Sequence, residues 1–314
     1  MSLLFTSNHF PLFHPRKAED LKDPCPVFDG ATWHVFGSSG NVRCEEWNIL
    51  HATAPDLYGP WTECEPITLP IEGSGVAAPG VIYEHGVFHM FVQTEFAKPG
   101  GRCEHVISTD GFAWTRQPPA LCAVPHTGED GIYDPHPAII AGQRYLIYSA
   151  MPPFSKVPQP DIYLARSMSD SWFGPWKRLG KILDHSDLPH HNAREHPDYE
   201  WGIEGAQLLE LPHGRILLNA TCFLPEGKRG TRQRVFFAFA DRPEGPYRTI
   251  GPVLEPGEAG ENGHSTALLS GEELTLFYQS RASATNNLWR YGIAKFNLHQ
   301  NAFNFSVLNV ESVA

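Results

Sequence analysis

The sequence predicts an all-β protein, a five-bladed β-propeller. Three observations predict it: a strand–turn–strand sentence that occurs five times, a spacing between occurrences that fits four short strands per unit, and the absence of helical periodicity. The first copy, from Asp23, reads DPCPVFDGATWHVFGSS, an apolar run, a D-G turn, and an apolar-aromatic run that ends in small polar residues. The others start at Ala78 (APGVIYEHGVFHMFVQTE), Asp134 (DPHPAIIAGQRYLIYSA), Glu204 (EGAQLLELPHGRILLNA) and His264 (HSTALLSGEELTLFYQS). The starts are 55, 56, 70 and 60 residues apart, a blade-like period.

Each element of that prediction has its own support. Two-residue alternation, as in WHVF, FHMF and YLIY, marks strands with one face toward a neighbouring layer. No stretch of a dozen residues carries a capped 3.6-residue apolar period, so helix should be minor. The outer half of four units closes on a turn with an aromatic: Gly59-Pro60-Trp61, Phe112-Ala113-Trp114, Gly174-Pro175-Trp176 and Gly245-Pro246-Tyr247. These aromatics, and Trp33, Phe88, Tyr145 and Phe277 in the strands, are expected to pack between blades rather than to stack on a ligand. The fifth unit lacks the closing turn, which leaves LLFTS near the start or FNFSVLNV near the end to complete it. The whole chain, 1–314, is expected to form this one domain.

Bulk composition narrows the function. The chain has 24 Lys plus Arg against 35 Asp plus Glu, a net charge of −11, and no basic stripe, which argues against nucleic acid as a partner. No run of 18 apolar residues occurs, and no basic leader with a cleavage site opens the chain, so neither a membrane nor an export route is expected and the reading is cytoplasmic. The six cysteines, at 25, 44, 64, 103, 122 and 222, form no metal-ligand spacing and are expected to be scattered thiols.

In a propeller the first strand of every blade lines the central channel, so the five unit starts should meet at one mouth. They are Asp23, Ala78, Asp134, Glu204 and His264, three of them carboxylates. Gathering like charges costs free energy, because proximity or burial raises at least one pKa. Cleavage of a glycosidic bond needs that divergence: one acid must arrive protonated for the leaving group and another ionised for water.

The segments Lys22-Asp23-Pro24, Tyr133-Asp134-Pro135 and Ile203-Glu204-Gly205, in this order, resemble the three catalytic segments of glycoside hydrolase family 43, and the resemblance spans nearly the whole chain. It implies Asp23 as general base, Asp134 as the residue that tunes and orients the acid, Glu204 as general acid, and inversion at the anomeric carbon. His264, in Asn262-Gly263-His264, matches the family's fifth-blade histidine near the channel centre, where it holds a water or a single ion such as calcium; no cofactor is otherwise implied. The fourth blade reads Glu204-Gly205-Ala206 where that family commonly has Glu-Gly-Pro. Its Glu-Gly also separates the chain from the related invertase-like clan, whose acid lies in Glu-Cys.

The implied substrates are arabinofuranosyl or xylosyl-type glycosides, taken as a small saccharide or an oligosaccharide. Two alternatives stay open: a phosphorolytic enzyme like the mannoside phosphorylases, for which Arg194, His190 and Arg281 are the suggestive residues, and a non-catalytic carbohydrate-binding propeller. His136, Gln207 and Arg281 are candidate binding residues, the first two because they follow the carboxylates by two and three positions. The histidine-rich segment His185–His196 is read as a substrate-facing loop and the loop from Glu95 to Arg102 as a solvated turn.

Overall fold

In a computed structural model the structure describes residues 5–9, 11–16, 20–40, 47–95, 100–151, 160–188, 202–225, 231–254, 261–281 and 288–297. Within them are five antiparallel sheets and no α-helix; two single 3-10 turns, His185–Asp187 and Pro212–Gly214, are the only helical elements. Blade 1 is built from Asp20–Phe28, Trp33–Gly40, Asn48–Ala54 and Thr62–Glu63. Blade 2 is Ala77–Glu84, Val87–Gln93 and Arg102–Ser108, with the short pieces Thr115–Arg116 and Leu121–Cys122 both on the third strand. Blade 3 is Gly131–Ile140, Gln143–Met151, Asp161–Ser167 and Trp176–Leu183. Blade 4 is Ile203–Glu210, Ile216–Pro225, Thr231–Ala240 and Arg248–Pro252.

Blade 5 is Glu261–Ser270, Glu273–Arg281 and Arg290–Asn297, and its outermost strand is Phe5–His9 from the start of the chain. The amino-terminal segment thus supplies the missing strand, pairing Asn8 with Ala294 and His9 with Ile293. FNFSVLNV lies outside the described residues. The ring closes between blades 5 and 1 through Thr266 Oγ1, which donates to the Pro24 carbonyl (2.8 Å), and Tyr291, whose hydroxyl donates to the Lys22 carbonyl (2.8 Å). Radial repetition of this kind leaves each blade only short, protected sheet edges.

The cores lie between blades, as the alternation demands. Phe88, Tyr145 and Phe277 are buried, and Phe36, Phe88 and Trp114 pack between blades 1 and 2 as Phe91, Trp172 and Trp176 do between blades 2 and 3. Trp61, Trp176 and Tyr247 of the closing turns pack on Phe277, on Phe91 and in the blade 3–4 core, so they serve the architecture. The turn glycines Gly59, Gly174 and Gly245 hold φ of 97°, 79° and 81°, a region open to glycine at little cost. Two internally equivalent histidine pairs add to the core: His34 Nδ1 meets His51 Nε2 at 2.9 Å and His89 Nδ1 meets His105 Nε2 at 3.1 Å. Burial pushes His51 and His105 down to about 3, so both are neutral and behave as flat aromatic rings, stacked on Phe36 and Phe91. The five described cysteines are all free thiols; Cys44 lies outside the described residues.

Candidate active site

Every innermost strand carries an irregularity at the same place. The register slips between Lys22 and Cys25, Ala77 and Gly80, Tyr133 and His136, Glu204 and Gln207, and Gly263 and Ser265. Proline follows the slip residue in blades 1 to 3 (Pro24, Pro79, Pro135), and having no N–H it needs no ladder partner there. The slip residues have left-handed backbone: φ is 55° at Asp23, 52° at Ala78, 48° at Asp134, 60° at Gly205 and 26° at His264. Such backbone costs a non-glycine residue about 1–2 kcal/mol and aims its side chain across the channel instead of along the sheet.

This register corrects one element of the sequence reading. The blade-4 counterpart of Asp23, Ala78, Asp134 and His264 is Gly205, and Glu204 stands one position earlier, level with Lys22, Ala77, Tyr133 and Gly263. Glu204 still reaches the centre, because the residue before the slip also faces the channel there and a glutamate is one methylene longer than an aspartate. A side chain at position 205 would collide: a Cβ there would lie 2.8 Å from His264 Nδ1.

The slip takes each residue's N–H out of its own ladder, and in all five blades the acceptor comes from the second strand of the preceding blade. Asp23 donates to Gln279 Oε1 (2.9 Å), Ala78 to Ser38 Oγ (2.8 Å), Asp134 to Gln93 Oε1 (3.0 Å), Gly205 to Ser149 Oγ (3.2 Å) and His264 to Thr221 Oγ1 (2.6 Å). This ring of Ser38, Gln93, Ser149, Thr221 and Gln279 was not anticipated from the sequence. Its only sequence signal is the small polar close of each second strand, a pattern that ordinary solvent-facing strand ends share.

His264 ties the carboxylates together. Its Nδ1 lies 2.8 Å from Asp23 Oδ1 and 4.0 Å from Asp134 Oδ1, and its Nε2 lies 2.8 Å from Glu204 Oε1. Burial works against charge on this imidazole, but three neighbouring carboxylates outweigh it and hold its pKa well above the usual histidine range. With its pKa raised by these neighbours the ring carries a proton on both nitrogens, an imidazolium that donates to Asp23 through Nδ1 and to the Glu204 carboxyl through Nε2. Asp23 is desolvated, which opposes ionisation, yet the His264 charge and hydrogen bond, with help from Lys22 and Ser38, bring its carboxyl below the usual range. Asp134 ends on the other side. Its desolvation, reinforced by Glu204 and Asp23, pushes it up to about 7 in spite of His264 and the Gly205 N–H. The Asp134 Oδ2 accepts from Gly205 N–H at 3.2 Å, which anchors the backbone immediately after Glu204.

Asp23, Ala78, Asp134, Gly205 and His264 line a cavity of about 30 Å³, room for about one or two waters. Asp23, Asp134 and His264 could each turn one atom toward a common ion. A calcium there would take the Asp23 and Asp134 carboxylates and complete its shell of about six to eight ligands with waters, and His264 could join it only after giving up the ring proton it shares with Asp23.

The remaining candidates are placed as follows. His136 lines the floor of the cavity, buried, with Nδ1 3.0 Å from the Pro137 carbonyl and Nε2 3.7 Å from Cys25 Sγ; burial lowers its pKa to about 4. Gln207 spends both ends of its amide on the backbone of Ala267 in blade 5 (3.1 and 2.6 Å), an inter-blade clamp. Arg281 is held by Glu261 and lies over the Trp289 ring at 4.6 Å. Arg194 and His190, with most of the segment that runs to His196, are outside the described residues, as are 96–99 of the loop from Glu95 to Arg102. His185, at the start of the histidine-rich segment, bonds Asp161 Oδ1 through Nδ1 (2.6 Å), beside Lys181, whose ammonium is 3.0 Å from Asp161. That lysine already neutralises the acidic cluster.

No family model and no curated protein matches the chain. Solved structures do. A thermostable family-43 glycoside hydrolase superposes with a TM-score of 0.67 at 15% identity over 88% of each chain. The α-L-arabinofuranosidase from Podospora anserina, solved with cellotriose, gives 0.67 at 17% identity over 94% of this chain and 97% of its own. The α-L-arabinanase from Cellvibrio cellulosa, solved with arabinohexaose, gives 0.64 at 15% identity over 87% and 91%. The five blades, closed by the amino-terminal strand around one acidic mouth, therefore have the fold of these propeller glycoside hydrolases.

Proposed function

We propose that the chain is a glycoside hydrolase that cleaves arabinofuranosyl or xylosyl-type glycosides with inversion. The observation that carries the reading is the disposition of Asp23 and Glu204 on opposite sides of His264, each 2.8 Å from one of its nitrogens. Two such hydrogen bonds with an imidazole between them set the carboxyl oxygens roughly 7 Å apart, inside the window of about 6.5–9.5 Å that leaves room for a water between base and sugar. The fold shared with arabinofuranosidases and arabinanases supports the choice of sugar.

The reaction assigns one role to each side chain. Glu204 gives its proton to the leaving oxygen as the glycosidic bond breaks, while Asp23 accepts a proton from the water that attacks the anomeric carbon from the other face. Asp23 suits the base because the imidazolium keeps it ionised. Asp134 orients the acid through the Gly205 N–H and, protonated below about pH 7, spares the site a further negative charge beside Asp23. An ion entering beside His264 would first have to displace the ring proton shared with Asp23, so no step is routed through one.

Aryl α-L-arabinofuranosides and β-xylosides, with NMR of the first-formed anomer, test the proposal. Turnover should give the inverted sugar, and Asp23→Ala and Glu204→Gln should each lower kcat by about 10²–10⁴-fold. Turnover that survives in both variants, or a retained anomer, rules it out. Sugar binding without turnover at any pH would leave a carbohydrate-binding propeller.

A further inference from the structure

The residue that receives the neighbouring blade's N–H differs among blades in a way that follows the catalytic chemistry. Blades 2 and 5 use glutamine (Gln93, Gln279) and blade 4 uses threonine (Thr221), whereas blades 1 and 3 use serine (Ser38, Ser149). Blades 1 and 3 are the two whose slip residue is an aspartate. In each of them the serine hydroxyl turns its proton onto that aspartate: Ser38 Oγ donates to Asp23 Oδ2 at 2.6 Å, and Ser149 Oγ donates to Asp134 Oδ2 at 3.3 Å.

We propose that Ser38 is a positioning residue for the general base, setting the plane of the Asp23 carboxylate relative to the attacking water; this rests on the hydrolase reading above. The Ser38 oxygen accepts the Ala78 N–H at 2.8 Å, so its single proton must point away from that bond, toward Asp23. The relay from N–H to hydroxyl to carboxylate polarises along its length. The terminal torsion of an aspartate is otherwise broad. Here one oxygen is held by His264 and the other by Ser38, which leaves a single orientation. The same hydroxyl joins blade 1 to blade 2, so the direction of the base is locked to the frame of the ring. Ser38 is fully buried, which keeps water from taking its place.

The test compares wild type, Ser38→Ala and Ser38→Thr on a glycoside that wild type turns over, with thermal midpoints measured alongside. Threonine is the conservative rescue because Thr221 fills the equivalent position of blade 4. Ser38→Ala should lose about 10–100-fold in kcat, the scale of a misaimed reacting group, with KM changed less than about threefold. Ser38→Thr should recover most of that loss. An alanine variant with wild-type kcat, or a folded threonine variant as impaired as alanine, overturns the proposal. Should Ser38→Ala not fold, Ser38→Cys, of the same shape with a weaker donor, takes its place. If wild type turns over no glycoside, the hydrolase reading is what fails, and a crystal structure of the variant still decides the positioning role: a carboxylate turned away from its wild-type plane supports it, and an unmoved one overturns it.

Discussion

Replacing Asp134 with asparagine should stabilise the protein in alkali and have little effect in acid. The buried carboxyl is pushed up to about 7 from an ordinary value of 3.8. An unfolded aspartate releases its proton near the lower value, so between the two the folded chain holds more protons. Stability from the retained proton is complete below about pH 4 and is lost as pH rises through about 7. A gap of this size corresponds to about 4 kcal/mol, a large share of the 5–15 kcal/mol typical of whole domains. Asparagine keeps an acceptor for the Gly205 N–H and removes the charge, so the variant should gain about 2–4 kcal/mol over wild type near pH 8.5 and nothing near pH 4.5. His264 retains Asp23 and Glu204 at 2.8 Å and stays protonated. Urea unfolding followed by tryptophan fluorescence across that range, read as the difference between variant and wild type, measures it. A difference that is flat with pH refutes the assignment of Asp134 as the carboxyl that burial keeps protonated.

Two further outcomes follow from the geometry. Gly205→Ala places a methyl 2.8 Å from His264 Nδ1 at a φ of 60°, so His264 must leave its bridge between Asp23 and Glu204. Turnover should fall by at least about tenfold while the far-ultraviolet dichroism of the blades is kept, and an alanine variant with wild-type kcat would contradict this. Acid should unfold the protein through its blade cores: His51 and His105, held neutral down to about 3 by burial and by the paired histidines, favour the folded chain above pH 6.5 and withdraw that support as pH falls. Each withdraws about 4 kcal/mol over that span, so native tryptophan fluorescence that persists at about pH 3 would show that these rings do accept protons in place.

The sequence by itself determined the architecture and the membership of the site. Strand alternation, D-G and G-P-aromatic turns and a period near 60 residues are local properties, set by backbone sterics and by which face of each strand must be buried. They make five blades, and five blades bring Asp23, Asp134, Glu204 and His264 to one mouth however far apart they lie along the chain. Tertiary structure decided what depends on packing between blades. Either terminus could complete the fifth blade on sequence grounds, and only the pairing of FTSNH with Arg290–Asn297 selects the first as the closing strand. A one-residue slip separates Glu204 from the position of Asp23, and periodicity cannot register it because a bulge shifts the count without altering the apolar pattern. Gln207 holds the blade-4 place that His136 holds in blade 3, but its amide is consumed by blade 5. The unequal state of the carboxylates, with Asp23 ionised and Asp134 holding its proton to about 7, also comes from the ring: a single imidazolium lies closer to one than to the other, and burial settles the rest.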